Sequence, residues 1–232
     1  MSAIETSSRL SEDNGILYLS MPIVARADAT DEAPSPLGFV LSKDYLVTVR
    51  YADLHSFEIV AGRFAKPDAP KTAVETFTSV AEAMVEVSAD SLEAAGTELD
   101  GLSRSIFPRR QKLSRKKPIS NAALRNVLLD VGNIGERSSR VRDILLGLQR
   151  IVHYVGAHRG WVPVEMQDRL ATVGTDIASL TDYEEHLAGK AQFLLDAVLG
   201  LINTKQNDIF TVLTVCLGRG ASRRRSSPAS TA

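Results

Sequence analysis

Cysteine is almost missing: Cys216 is the only one in 232 residues. That excludes a disulfide scaffold and leaves a thiolate zinc site without a second ligand. Aromatic residues make up 6% of the chain, and none is interleaved with its basic runs. Base stacking on a single strand therefore has no platform, and nucleic acid is excluded as a partner. No stretch of about 18 or more apolar residues occurs, so no segment reads as a membrane-spanning helix. There is no GxGxxG and no phosphate loop, and Gly218-Arg219-Gly220 follows no strand. The four histidines are scattered. His153 and His158 sit about 140° apart on a helix, cannot hold one metal from one face, and read as surface residues at a helix end. With no nucleophile–base pair and no metal constellation, the chain reads as a non-enzyme with no resident cofactor. Met1 is followed by polar residues rather than a secretory signal, so a cytosolic face is the default.

What is present is ordinary for a folded soluble protein: 44% apolar and 24% charged residues. The length allows one or two domains. The formal net charge of −1 hides a segregation. Residues 1–100 carry 17 acids and 7 bases, whereas 101–117 carry seven bases and no acid. Residues 118–216 hold 11 acids and 9 bases, and 217–232 four arginines and no acid. Two basic blocks thus interrupt an acidic body and could attract anionic lipid.

Residues 1–71 read as short strands. Gly15–Met21 follows a polar turn at Glu12–Gly15. Leu37–Ser42 and Tyr45–Arg50 flank Lys43-Asp44, a two-residue hairpin turn, and Phe57–Val60 is a weaker fourth strand. Helix takes over in 72–118: Val74, Phe77, Val80, Ala81, Met84, Val87, Leu92, Leu99 and Leu102 recur at helical spacing. A basic connector from Arg104 to Lys117, broken by Pro108 and closed by Pro118, turns into the next element.

Residues 119–215 read as a long helical hairpin. Leu124, Val127, Val131, Ile134, Ser138, Val141, Leu145, Leu148, Val152 and Val155 alternate three and four apart, with one polar break at Ser138. Gly156, Gly160 and Pro163 end that helix and start another. Met166, Leu170, Val173, Ile177, Leu180, Glu184, Leu187, Ala191, Leu194, Val198 and Leu201 repeat the pattern, broken by Glu184. Two such helices with a short link pack antiparallel. Asp182, Glu184, Glu185 and His186 form an acidic cluster with possible metal affinity, though a solvated face is the plainer reading.

The end of the second helix is apolar nearly all round from Phe193 to Ile202, with Asp196 inside. Asn203 and Asn207 fall within about 20° of Asp196, Thr214 on the same line and Phe210 about 40° away. This polar stripe is either a solvated face or, if copies of the helix surround an axis, a stack of rings. After Val215 the periodicity ends, and 216–232 reads as a disordered basic tail.

Leu194-Leu195-Asp196-Ala197-Val198-Leu199-Gly200-Leu201-Ile202-Asn203-Thr204-Lys205-Gln206-Asn207, continued by Thr211–Val215, resembles the stalk helix of CorA-type magnesium transporters, although Thr211 replaces the usual lysine. "IETSSRL" from Ile4 and "PLGFVLSKDYLVTVRY" from Pro36 resemble the family's amino-terminal part. The likeness spans roughly residues 4 to 215. It implies the cytoplasmic portion of a homopentameric divalent-cation transporter of an inner or plasma membrane. The ion would be Mg²⁺, with Co²⁺, Ni²⁺ and Zn²⁺ as alternatives; Mg²⁺ dehydrates reluctantly. By position, Asp196, Asn203, Asn207, Phe210 and Leu213 would line the ion path. Asp176 and Asp182 are weak candidates for a regulatory metal.

The family's Gly-Met-Asn loop and both membrane helices are absent here, as are the tens of residues that usually precede the segment matching Ile4. The expectation is therefore a chain truncated before the membrane helices, not transport-competent alone, with part of its sheet missing. Codons can be chosen for Ser222–Thr231 that encode Pro-Pro-Thr-Leu-Val-Ala-Ser-Ile-Tyr, a family-like segment, in a shifted frame. The tail is accordingly expected to be an out-of-frame product. The fold expected is α+β: a partial amino-terminal sheet with helices, then an antiparallel helical hairpin ending in a stalk. The rival function is a soluble coiled-coil interaction or scaffolding protein.

Overall fold

The computed structural model describes residues 9–23, 35–67, 69–107, 120–158 and 160–224, with side chains as far as Asn207. Strand β1 (Arg9–Asp13) and strand β2 (Ile16–Ile23) form an antiparallel hairpin closed by Asn14 and Gly15. Both turn residues have positive φ, 51° and 76°. That is the backbone of a primed hairpin turn, which Asn-Gly supplies at low steric cost. Strand β3 (Ser35–Leu41) and strand β4 (Leu46–Arg50) complete an antiparallel sheet of order β1-β2-β3-β4.

Register follows from which side chains must leave water. Leu17 pairs with Leu41, Leu19 with Phe39 and Met21 with Leu37, and all six are buried. A slip of one residue would expose the whole set. The opposite face carries Tyr18, Val47 and Val49, each roughly half exposed.

Strands β3 and β4 meet at Leu41 and Leu46, one residue short of the ends expected, and Lys43-Asp44 are the two residues between the hydrogen-bonded Ser42 and Tyr45. Ser42 sets this turn: its Oγ accepts from the Asp44 and Tyr45 amides at 3.3 and 3.2 Å, while its own amide donates to the Tyr45 carbonyl. One expectation for this region is corrected: Phe57–Val60 is not a strand but lies in helix α1 (His55–Arg63). A strand would put Glu58 and Val60 on one face. The helix buries Ser56 with Val60, four apart, and leaves Glu58 outside beside His55 at 2.8 Å.

Helix α2 (Ala73–Ile106) starts at Thr72, whose Oγ1 accepts from the Glu75 amide, while Glu75 Oε2 accepts from the Lys71 amide. Together they satisfy donors that a helix start leaves open. Phe77 of α2 meets Phe39 edge-on, with ring centroids 5.5 Å apart, which seats the sheet on the helix. Helix α3 (Asn121–Ala157) is capped by Ser120 and helix α4 (Val164–Arg224) follows Pro163.

The three long helices form a bundle. Arg169 reaches Glu82, and Lys190 reaches Asp100, so α4 runs parallel to α2. Arg137 meets Glu98 of α2 and Arg142 meets Glu184 of α4, so α3 runs antiparallel to both. The hairpin expected for 119–215 is therefore present, with α2 as a third member. Its repeat positions are buried from Leu124 to Val155 on α3, Val127 partly, and from Met166 to Val198 on α4, Leu180 partly. The two polar breaks, Ser138 and Glu184, are buried as well. Leu201, the last position of the pattern, is 37% exposed.

The α4 backbone stays helical past Val215 to Arg224. Leu217, Arg219, Ala221, Arg223 and Arg224 are good helix formers, and no proline intervenes before Pro228. Residues 225–232 and the connector 108–119 lie outside the described residues.

Candidate ion-path face of the long helix

Burial on α4 fixes which side faces the bundle. Leu187, Ala191, Leu194 and Val198 are at most 6% exposed. Helical geometry places Asp196 about 140° to 180° from these residues. Asp196, Asn203 and Asn207 are all exposed. The sequence-derived stripe thus exists as one line on the side of α4 turned away from the core. Asp182 and Glu185 are exposed and lie within about 40° of the same line.

Among the described residues the Asp196 carboxylate has one partner. Gln192 Nε2 donates to its Oδ1 at 3.0 Å, one turn earlier on the helix. The apolar residues around Asp196 divide. Leu194 and Val198 are buried, whereas Phe193 and Leu199 are 60% and 48% exposed. Phe193 lies against Phe107, just beyond the end of α2, with centroids 6.0 Å apart. From Leu199 to Asn207 no residue is buried. Phe210 and Leu213 fall on the helical backbone of α4, but their side chains lie outside the described residues.

Asp176 and Asp182 are exposed but about 120° apart around α4, so they do not face one ion together. Among the described residues no group of three or more His, Cys, Asp and Glu could hold a metal. The Asp182–His186 cluster is dispersed by its own helix. Glu184 points inward to Arg142 Nη1 at 2.9 Å with its side chain 4% exposed, while Asp182, Glu185 and His186 point to solvent. His153 is exposed. His158 is partly buried, 3.7 Å from Glu12 and stacked obliquely on Trp161.

Several acids on the bundle surface are neutralised locally. Lys190 hydrogen-bonds Asp100 and holds its carboxyl below the usual carboxylate range. Glu82 is shared by Arg63 and Arg169, and Arg63 also reaches Glu86. Asp196 contrasts with these, because its donor is a neutral amide. Among the described residues no helix is long and apolar enough to cross a membrane.

The family model for "CorA-like Mg2+ transporter protein" matches residues 1–217. The chain belongs to that family. The CorA magnesium transport protein of Haemophilus ducreyi is 26% identical over 213 residues, covering 91% of this chain and 64% of the relative. That of Escherichia coli K12 is 28% identical over 214 residues, with the same coverage. The chain therefore spans just under two thirds of the length of these CorA relatives. Solved structures share the fold. The full-length CmaX protein has a TM-score of 0.78 at 16% identity, covering 99% of this chain and 67% of that one. The complete CorA magnesium transporter from Methanocaldococcus jannaschii has 0.72 at 12%, covering 97% and 69%. The ZntB cytoplasmic domain from Vibrio parahaemolyticus has 0.64 at 9%, covering 87% and 76%.

Sequence reasoning found the stripe but missed Gln192. The signal was available: a Gln and an Asp four apart on a helix are neighbours. The Arg142–Glu184 pair, 42 residues apart in sequence, had no local signal.

Proposed function

We propose that this chain is the cytoplasm-facing portion of a divalent-cation transporter that assembles as a homopentamer around α4. The ion is Mg²⁺, with Co²⁺, Ni²⁺ and Zn²⁺ as chemically related alternatives. Asp196, Asn203, Asn207, Phe210 and Leu213 line the ion path, and Asp176 and Asp182 are the candidates for a regulatory site shared between copies. The chain is neither an enzyme nor a nucleic-acid binder. It belongs at the inner or plasma membrane with a membrane portion, and conducts nothing by itself.

One observation carries this reading. In a chain of this family, the outward line of α4 bears Asp196, Asn203 and Asn207 directly opposite its buried face. A set of α4 helices packed through their exposed apolar flanks, Phe193 and Leu199, would turn that line into rings of oxygen donors. Oxygen donors that leave the hydration shell in place suit Mg²⁺.

The test is assembly and cross-linking of the full chain. In a Cys216→Ser background, Asp196→Cys should cross-link neighbouring copies, and native mass measurement should give a pentamer. A stable monomer without cross-links would overturn the ring reading. Liposomes carrying the chain should show no Mg²⁺ uptake; uptake would refute the claim that it cannot conduct alone.

A further inference from the structure

We propose that Gln192 is a positioning residue for the Asp196 carboxylate, and that it extends the ion path by one polar ring toward the bundle. This rests on the reading of Asp196 given above. The geometry is specific: Gln192 Nε2 donates to Asp196 Oδ1 at 3.0 Å. Oδ2 has no partner among the described residues and is left for an ion's water shell. Both side chains are exposed, on the side of α4 opposite Leu194 and Val198.

The choice of donor matters. Several carboxylates of the bundle are met by Arg or Lys, as in Arg137–Glu98 and Lys190–Asp100. Such a partner fixes a carboxylate but cancels its attraction for a cation. An amide fixes it without adding positive charge. With its N–H₂ engaged, the Gln192 carbonyl oxygen remains an acceptor, about one helical turn from Asp196. The site class is thus a hydrated divalent cation held through water by a carboxylate oxygen and an amide oxygen.

The experiment titrates Mn²⁺, a paramagnetic hard divalent ion, into the full chain and reads line broadening of the Asp196 and Gln192 signals by NMR. Mn²⁺ should broaden both Asp196 and the Gln192 side-chain amide. Asp196→Asn should abolish the effect. Gln192→Leu should weaken Mn²⁺ affinity about twofold, the scale of one i,i+4 Gln–Asp pair, with an unchanged melting temperature. Gln192→Lys should weaken it further, because its charge neutralises Asp196. If Asp196→Asn weakens binding and Gln192→Leu does not, the positioning role is wrong and the reading of Asp196 survives. If Mn²⁺ leaves the wild-type Asp196 signal unchanged, or Asp196→Asn changes nothing, both fail. A Gln192→Leu chain that melts earlier but binds normally when folded has lost helix stability only, which also overturns the proposal.

Discussion

Removing Arg142 should cost far more than removing Glu184, although the two form one ion pair. The Glu184 side chain is 4% exposed and Arg142 is 40% exposed, with 2.9 Å between them. Arg142→Ala strands a carboxylate at a core position between Leu180 and Leu187. Breaking a fully buried pair costs about 3–5 kcal/mol. Here water reaches the arginine side, so about 2–3 kcal/mol is the better figure. Glu184→Leu instead continues the apolar repeat, and Arg142 can lift its head into water along its own stem. That substitution should be neutral or stabilising by about 1–2 kcal/mol. On the Glu184→Leu background, Arg142→Ala should cost less than about 0.5 kcal/mol, as expected for a surface change. Urea unfolding followed by circular dichroism measures all four corners of the cycle. If Arg142→Ala costs under about 0.5 kcal/mol, or Glu184→Leu destabilises by more than about 1 kcal/mol, the asymmetry argument from desolvation fails.

Three further outcomes follow from the core and its surface. Leu145→Ala, at a position with 0% exposure, should destabilise by about 3–5 kcal/mol, read by the same urea titration. Ser138 Oγ is buried with no hydrogen-bond partner among the described residues, so Ser138→Ala should raise stability by about 1 kcal/mol; a loss of similar size would show that the hydroxyl has a partner. Asp100 has a folded-state carboxyl held below its ordinary value by Lys190. The unfolded chain therefore binds more protons in that window, and the pair's contribution is present above about pH 4 and lost as pH falls through the folded value. Lys190→Ala should remove that acid-side loss; an unchanged pH profile below about pH 4 would contradict it.

The long helices were legible because the same 3.6-residue periodicity that makes a sequence pattern also decides which side chains are buried. Leu124 through Val155 and Met166 through Val198 could be read without knowing the neighbours. The amino-terminal region was less legible. Phe57–Val60 is a short apolar run, and four residues do not distinguish a strand from one helical turn. Arg9–Asp13 was not read as a strand, since it has one large apolar residue, Leu10; its pairing with β2 was signalled by Asn14-Gly15. At the candidate site the face was readable from angles alone. What occupies it was not, because Asp196, Asn203 and Asn207 present the same pattern on a solvated helix as on a ring.

Helix α4 has 61 residues and is about 90 Å long. Its core-facing side is buried from Met166 to Val198, and the remaining length runs on without a buried residue through Asn207. The helix is thus clamped as far as Val198 and runs without a buried residue from Leu199 to Asn207. A tilt of about 5° at the clamp displaces the far end, about 40 Å on, by roughly 3 Å. The bundle is accordingly a fulcrum: whatever shifts α2 and α3 against α4 by a few degrees is delivered at Arg224 as a movement the width of an atom.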